Sequence, residues 1–394
     1  MDKPYVNHPI TNTKSRPTTA GLVPINFGQR VNVLIIGGGP AGTAAAIALA
    51  KTGQTVAVLE RSRYETTRVG ETLAPAARVL LSELGVWERF HIDGHLPSPG
   101  IISAWGSEEL YENDFIFNPY GCGWHLDRRR FDAMLALAAK EVGASVYLST
   151  RVVTCTQQPS GCWWIEALCD GLPISFQADF LVEATGRTSS LAGKPATKRM
   201  IYDKLVGVIK FLTINSPILA CDCRTLVEAS NEGWWYSAVL PNNNLVVAYM
   251  TDTDLLPRKS IPLADFWQEC HGKVPHTQAR VESCLWNSSF HTVAAFSYRR
   301  NCVADNQWLA IGDAASAFDP LSSQGIYKAL QSGIAAARVI KASQSNCQAS
   351  LKEYAAHVEK SFAEYLQMWA AYYNRERRWS DSVFWQRRQT VPAK

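Results

Sequence analysis

Residues 31–61, VNVLIIGGGPAGTAAAIALAKTGQTVAVLER, constrain this chain more than any other stretch. Val31 to Ile36 are a short apolar run rich in β-branched residues, the pattern of a buried parallel strand. Gly37, Gly39 and Gly42 follow at G-x-G-x-x-G spacing, with Pro40 and Ala41 between them. The first glycine permits a tight turn, the second lets a pyrophosphate approach the backbone, and the third lets helix and strand pack closely. The alanine-rich run from Ala41 to Ala50 predicts a helix slim enough to lie against a sheet, and Gly53 suits its C-terminal end. Thr55 to Leu59 predict a second buried strand, with Glu60 at its tip and Arg61 after it. A carboxylate there can accept hydrogen bonds from the hydroxyls of an adenosine ribose. Strand, glycine turn, helix, strand and acidic tip together predict a dinucleotide-binding unit. The plainer alternative is a glycine-rich turn in an ordinary βαβ unit.

The 394 residues suffice for two joined domains around a large core, and 47% hydrophobic against 19% charged residues excludes a disordered chain. A net charge of +4 predicts no nucleic-acid partner. No apolar run reaches the roughly eighteen residues of a membrane span. The polar N-terminus (Asp2, Lys3, His8, Pro9) has no secretory apolar region. The expected compartment is therefore the cytoplasm, with the ten cysteines reduced. Cys221 and Cys223 lack a second pair or a His at zinc-finger spacing, so no metal site is expected.

Taken in order, the proline-dotted residues 1–28 predict a flexible tail. Gly70 to Pro75 predict a loop placed to arch over a ligand, with a helix from Ala76 to Leu84. Asp127 is a plausible cap for a helix whose apolar stripe is Phe131, Met134, Leu135 and Ala138. Strands are expected at 151–157, 162–168 and 174–182, the last running into Ala184-Thr185-Gly186. Alternation at 204–213, 224–229, 234–240, 244–250 and 289–295 predicts a larger antiparallel sheet, with a turn at Asn242 to Asn244. Trp308 to Ile311 predict a strand before Gly312-Asp313, and Phe318 to Gly325 lead into a helix from Ile326. That helix start offers free N–H groups to negative charge. Residues 348–389 look helical and end in Arg375, Arg377, Arg378, Arg387 and Arg388, interleaved with Trp379, Phe384 and Trp385. They suit either a docking surface for an acidic partner or a helix pair packed on the core with solvated arginines. The fold class is α/β: a Rossmann-like nucleotide domain (29–98, 121–199 and 300–345), an antiparallel-sheet substrate domain (99–120 and 200–299), and a C-terminal helical segment (346–394).

Four blocks stand in a familiar order: Gly37 to Glu60, Arg128-x-x-Phe131-Asp132, Ala184-Thr185-Gly186, and Gly312-Asp313 followed by Asp319-Pro320 and Gly325. The chain resembles the flavin-dependent monooxygenases and halogenases of the para-hydroxybenzoate hydroxylase type. The resemblance implies FAD as cofactor, Arg128 and Asp313 near its ribityl-pyrophosphate region, and Pro320 to Ile326 beside the flavin's pyrimidine edge. With the glycine turn, Glu60 and Arg61, the implied FAD contacts are Arg128, Val153, Asp313, Pro320, Gly325 and Ile326.

Gly70-Glu71-Thr72-x-x-Pro75 and Asp319 to Tyr327 look like tryptophan-halogenase segments. The halogenase lysine, however, falls at Val79 beside Arg78, and the halogenase glutamate at Ser322. The box Gly233-Trp234-Trp235-Tyr236-Ser237-Ala238-Val239-Leu240-Pro241 is similar instead to flavoproteins that mature cysteine tryptophylquinone enzymes, the LodB, GoxB and QhpG type. This narrower resemblance implies hydroxylation of a Trp in a partner protein, the precursor of a tryptophylquinone enzyme. It implies O2 as co-substrate and either NAD(P)H or an external reductase as electron source. Glu71 and His125 are the candidate bases, with a structural hydrogen-bonding role the equal alternative for His125; Trp234, Trp235 and Tyr236 are the candidate substrate lining, with plain core the alternative. The alternatives are a small-molecule flavin hydroxylase, reductase or halogenase-like enzyme, and an FAD-binding maturation chaperone.

Overall fold

The strand Gln29–Ile36 sits at the middle of a sheet because its neighbours cover both its edges. It pairs in parallel with Val56–Leu59 on one side and Leu172–Glu183 on the other. Ser145–Tyr147 and Trp308–Ala310 extend the parallel order outward. This computed structural model describes residues 28–188, 197–215, 222–257, 260–282, 284–286 and 288–389. The expected tail up to residue 27 and Cys221 of the C-x-C pair lie outside them. Thr150–Gln157 and Trp163–Cys169 join Leu172–Glu183 as an antiparallel meander.

The helix Pro40–Ala50 buries nine of its eleven residues, so it has no polar face to orient it. It is clamped between the sheet and a later helix: a Cβ on Gly333 would lie 2.4 Å from the Ala41 carbonyl oxygen. Helical structure runs from Gly325 to Tyr373, but not as a straight rod. The Ser332 hydroxyl accepts from the Gly312 N–H, and the Tyr354 hydroxyl donates to the Ala310 carbonyl. A straight helix would set those two residues roughly 33 Å apart at about 1.5 Å per residue. The run therefore folds back between them.

The second sheet is mainly antiparallel. Leu205–Ile214, Asn244–Asp252, Gly233–Leu240 and Thr225–Ser230 pair in that order, and Asn242 and Asn243 turn the chain with positive φ. Gly100–Ala104 joins Thr225–Ser230 in parallel, and Tyr111–Asp114 forms the outer edge. Pleating sends neighbouring residues to opposite faces. Leu205, Ile209, Trp234 and Met250 meet Phe362, Tyr365, Trp369, Tyr373, Phe384 and Trp385 of the C-terminal region. Val208, Leu212, Trp235 and Tyr249 meet Trp267 on the other side, from the helix Leu263–His271. A third, small sheet of Thr72–Leu73, Gly123–His125 and Leu96–Ser98 ties the Gly70 to Pro75 loop between the two larger sheets.

The C-terminal helices pack on the core, as one of the two readings expected, with Phe384 and Trp385 buried and Arg375 and Arg377 exposed; Arg387 and Arg388 depart from it. Arg388 is 1% exposed and grips Asp252 through two bonds of 2.7 and 3.2 Å. Arg387 bridges Asp252 and Asp254, and Arg378 pairs with Glu376. Arg387 and Arg388 thereby clamp the last helix, Val383–Gln389, onto the second sheet.

Candidate active site

The glycine turn divides into positions the fold needs bare and one it leaves open. Gly37 has φ +109°, and a Cβ there would lie 2.3 Å from the Ala184 carbonyl oxygen. A Cβ on Gly42 would lie 1.9 Å from the Gly37 oxygen. Gly39 differs: nothing lies within 4 Å of where its Cβ would be. It is the N-cap of the helix Pro40–Ala50, has no capping side chain, and no acidic residue stands in the first turn. Open space in front of free N–H groups and a positive helix end suits a pyrophosphate. Pro40 and Ala41 form the buried first turn behind it.

Glu60 stands at the end of Val56–Leu59 and is buried. One oxygen accepts from the Ser62 N–H (3.0 Å), the Ser62 hydroxyl (2.6 Å) and Arg68 (3.1 Å). The other accepts only from the Gly38 N–H at 2.8 Å, which leaves it acceptor capacity for a ribose. Burial opposes its charge, but Ser62, Gly38 and Arg68 outweigh burial and hold the carboxyl below its usual range. Arg61 beside it is exposed.

Arg68 also reaches Asp132, which Arg128 grips in bidentate fashion at 3.1 Å. Arg128 then donates to the carbonyls of Val69 and Gly70, so one guanidinium holds both its own helix and the loop that carries Glu71. Asp313 is met by Lys328 at 3.0 Å and Arg187 at 3.3 Å. Burial raises its affinity for a proton, yet those two cations together hold the carboxyl low. Sequence reasoning missed Arg68, Arg187 and Lys328. Two signals were available: Arg187 directly follows Ala184-Thr185-Gly186, and Lys328 lies in the first turn after Gly325. The open Gly39, the free acceptor on Glu60 and the cations Arg68, Arg128, Arg187 and Lys328 together fit an anionic dinucleotide such as FAD.

Glu71 is buried, and its Oε1 has no partner within the described structure. Its Oε2 accepts from the Gly70 N–H at 3.0 Å. Burial pushes this carboxyl up to about 7, against the weaker pull of Arg128. Next to it, the Thr72 and Tyr236 hydroxyls share a hydrogen bond of 2.8 Å. Burial and the Glu71 charge keep the Tyr236 phenol protonated.

The other candidate residues separate. His125 bridges the Val239 carbonyl (2.7 Å) and the Thr225 hydroxyl (2.9 Å), one with each ring nitrogen. Burial pushes it down to about 4, so it is neutral. With both nitrogens engaged it joins the small sheet to the large one, the structural one of its two expected roles. Trp234 donates to the Tyr373 hydroxyl at 2.9 Å inside the second core. Trp235 points to the opposite face and stacks on Tyr249 at 4.8 Å, so it lines no cavity on the Glu71 side. Of the three aromatics, Tyr236 alone bonds the Glu71 loop. Val153 is the extra residue of a bulge, 44% exposed on a meander strand. Val79 is 49% exposed on its helix, so the missing lysine there carries no argument about a buried site.

Asp319 lies buried at the head of the segment leading to Gly325. Its Oδ2 accepts from Trp369 Nε1 (3.1 Å) and the Tyr373 hydroxyl (2.8 Å), and its Oδ1 from the Leu321 N–H. Burial, with Asp203 nearby, pushes this carboxyl up to about 6. Ser322 bonds back to the Asp319 carbonyl, and Ser323 adopts a left-handed φ of +50°. The turn is thus held from behind. Pro320 is exposed, Ile326 is buried, and the Cβ side of Gly325 is open.

Among the described residues no cluster of three or more His, Cys, Asp or Glu could hold a metal, and no helix is long and apolar enough to cross a membrane. A family model described as an FAD binding domain matches residues 30–367. A putative FAD-dependent oxidoreductase, LodB of Marinomonas mediterranea, is 29% identical over 93% of this chain and 98% of its own length. A flavin-dependent halogenase, gsfI of Penicillium aethiopicum, is 26% identical over 80% of this chain, which spans 65% of that protein. The solved structure of QhpG, a peptidyl tryptophan dihydroxylase essential for tryptophylquinone cofactor biogenesis, covers 92% of this chain and is itself 79% covered. Its TM-score is 0.77 at 24% identity, which shows a shared fold.

Proposed function

This chain belongs to the FAD-binding-domain family and is an FAD-dependent oxidoreductase, and on that premise we propose that it hydroxylates a Trp side chain within a partner polypeptide. The partner is the precursor of a tryptophylquinone enzyme. The observation that carries this reading is the Glu71–Thr72–Tyr236 cluster: a buried carboxyl with one free oxygen, beside a protonated phenol, on a loop held by Arg128. The near-complete mutual coverage with LodB and the fold shared with QhpG support a polypeptide over a free metabolite.

FAD, when bound, supplies the oxygen-transfer chemistry, drawing on O2 and on electrons from NAD(P)H or a separate reductase. Gly39, Glu60, Arg128 and Asp313 would hold it, with the start of the helix at Gly325 at its far end. The chain's own part is to position and to move a proton. Indole is electron-rich, so the ring needs no strong base. Glu71 Oε1 takes the ring proton as aromaticity returns, and a carboxyl that titrates near neutrality can both accept and release it. Tyr236 stays protonated and orients the ring by hydrogen bonding. Burial of Glu71 keeps bulk water from its carboxyl. The setting is proposed to be cytoplasmic.

The likeness to gsfI supports a second reading, halogenation; Ser322 in place of the halogenase glutamate speaks against it. The test is an aerobic incubation with FAD, a reductant, chloride and a Trp-containing precursor. The proposal expects a gain of about 16 or about 32 Da on one Trp. A gain of about 34 Da, one chlorine for one hydrogen, would establish the second reading instead.

A further inference from the structure

The outer edge of the second sheet has a feature the reaction does not use. Tyr111–Asp114 is the terminal strand: Gly100–Ala104 pairs with one edge, and among the described residues no strand pairs with the other. All four of its residues are exposed. Directly after it, a single 3-10 turn presents Ile116 (80% exposed) and Phe117 (94% exposed) to solvent.

This turn is not loose chain. The Phe115 N–H donates to the Pro99 carbonyl at 2.7 Å, and the Asn118 N–H to the Phe115 carbonyl at 2.8 Å. The Phe115 ring lies against Gly123, whose missing Cβ would sit 3.4 Å from it and 2.9 Å from the Leu73 carbonyl oxygen. Phe115 therefore joins the turn to the Gly70 to Pro75 loop, two residues from Glu71. Two large apolar side chains held on a fixed backbone beside an active-site loop are poor design for a solvated surface and good design for an anchor.

The charge of the edge says what it would bind. Glu108, Glu109, Glu112 and Asp114 crowd one short stretch, and only Glu112 has an ion-pair partner among the described residues, Arg224 at 3.0 Å. A second copy of this chain would set the same carboxylates against each other across the new pairing, which is repulsive. A basic strand would meet them favourably. We propose that Tyr111–Asp114, with Ile116 and Phe117, docks an extended, basic segment of the polypeptide substrate, which adds to the sheet as a strand and delivers its Trp toward Glu71. This rests on the reading of a polypeptide substrate made above, and it names how that substrate is held.

The probes are two labelled peptides: alternating Lys and Val around one Trp, and the same peptide with Glu for every Lys. They are titrated by fluorescence anisotropy onto the full chain, its Ile116→Ser/Phe117→Ser variant and Asp114→Lys. FAD titration and thermal melting of each variant confirm that the fold stands. The proposal expects the Lys peptide alone to bind. It expects the double variant to weaken that binding about tenfold or more, Asp114→Lys to weaken it further at low salt than at high, and the Tyr111–Asp114 amides to exchange more slowly in the complex. No binding of either peptide, equal binding of both, unchanged binding by the double variant, or a dimer that the double variant abolishes would each overturn it. Because binding needs no flavin turnover, a docking surface that holds while no Trp is oxygenated refutes the proposed reaction and leaves the surface standing.

Discussion

The glycine turn and the Glu71 cluster are built by opposite means. At residues 37–42 the contacts proposed for the ligand are backbone, and side chains matter chiefly by being absent. At residues 71, 72 and 236 the groups offered to a substrate are side chains, and their meaning depends on which sheet face they leave. A site made of missing side chains has a fixed spacing in sequence, whereas a site made of side chains from two distant strands has none. The first is brittle to size, the second to charge and protonation.

The sharpest break in that comparison lies inside the glycine turn itself. Gly42→Ala puts a methyl group 1.9 Å from a carbonyl oxygen and should cost about 3 kcal/mol or more in stability, seen as a large loss in melting temperature. Gly39→Asp should do the reverse. Its side chain enters open space at an N-cap, where Asp stabilises a helix, so the melting temperature should hold or rise while FAD binding disappears. Equal damage from both changes would mean that Gly39 is a folding position, not a ligand position.

Glu71→Gln tests the second region. In the fold burial pushes this carboxyl up to about 7, from an ordinary value of 4.5. Between those values the folded state binds more protons, so stability falls as pH rises, by roughly 3 kcal/mol in all. Glu71→Gln should remove that slope: near wild-type stability at pH 5, greater stability at pH 8, FAD affinity unchanged and oxygenation lost. Denaturant titrations at the two pH values check it.

His125 sharpens the contrast with Glu71, since Thr72 and His125 face each other in one small sheet. His125→Leu leaves the Val239 carbonyl and the Thr225 hydroxyl without their bond and should cost about 2 kcal/mol. The pH dependence of activity should keep its limb near 7. Tyr373→Phe, which removes bonds to Asp319 and from Trp234, should cost about 1–2 kcal/mol. The smallest effect should come from Val153→Ala, within about 0.5 kcal/mol and without effect on FAD affinity, because its side chain faces outward.

How much of this was legible beforehand follows the same division. The α/β class, the glycine turn and the antiparallel second sheet could be read because period, spacing and small residues are local properties. The partition of Trp234, Trp235 and Tyr236 could not. Three adjacent aromatics alternate faces, and which face meets the nucleotide domain is set by register across strands far apart in sequence. His125 adjoins a matched motif, yet its partners come from residues 225 and 239, so adjacency could not tell its two expected roles apart. Arg388 looked solvated because its partner Asp252 lies 136 residues away. Val79 failed for a simpler reason: a count along the chain does not say which side of a helix faces the site.

The most direct test of the central claim is the intact mass of a Trp-containing quinoprotein precursor after aerobic incubation with FAD, reductant and either wild-type chain or Gly39→Asp. The account predicts a gain of about 16 or about 32 Da on one Trp with the wild type and no gain with the variant. An unchanged mass with FAD-loaded wild type, or the same gain with both chains, would contradict it.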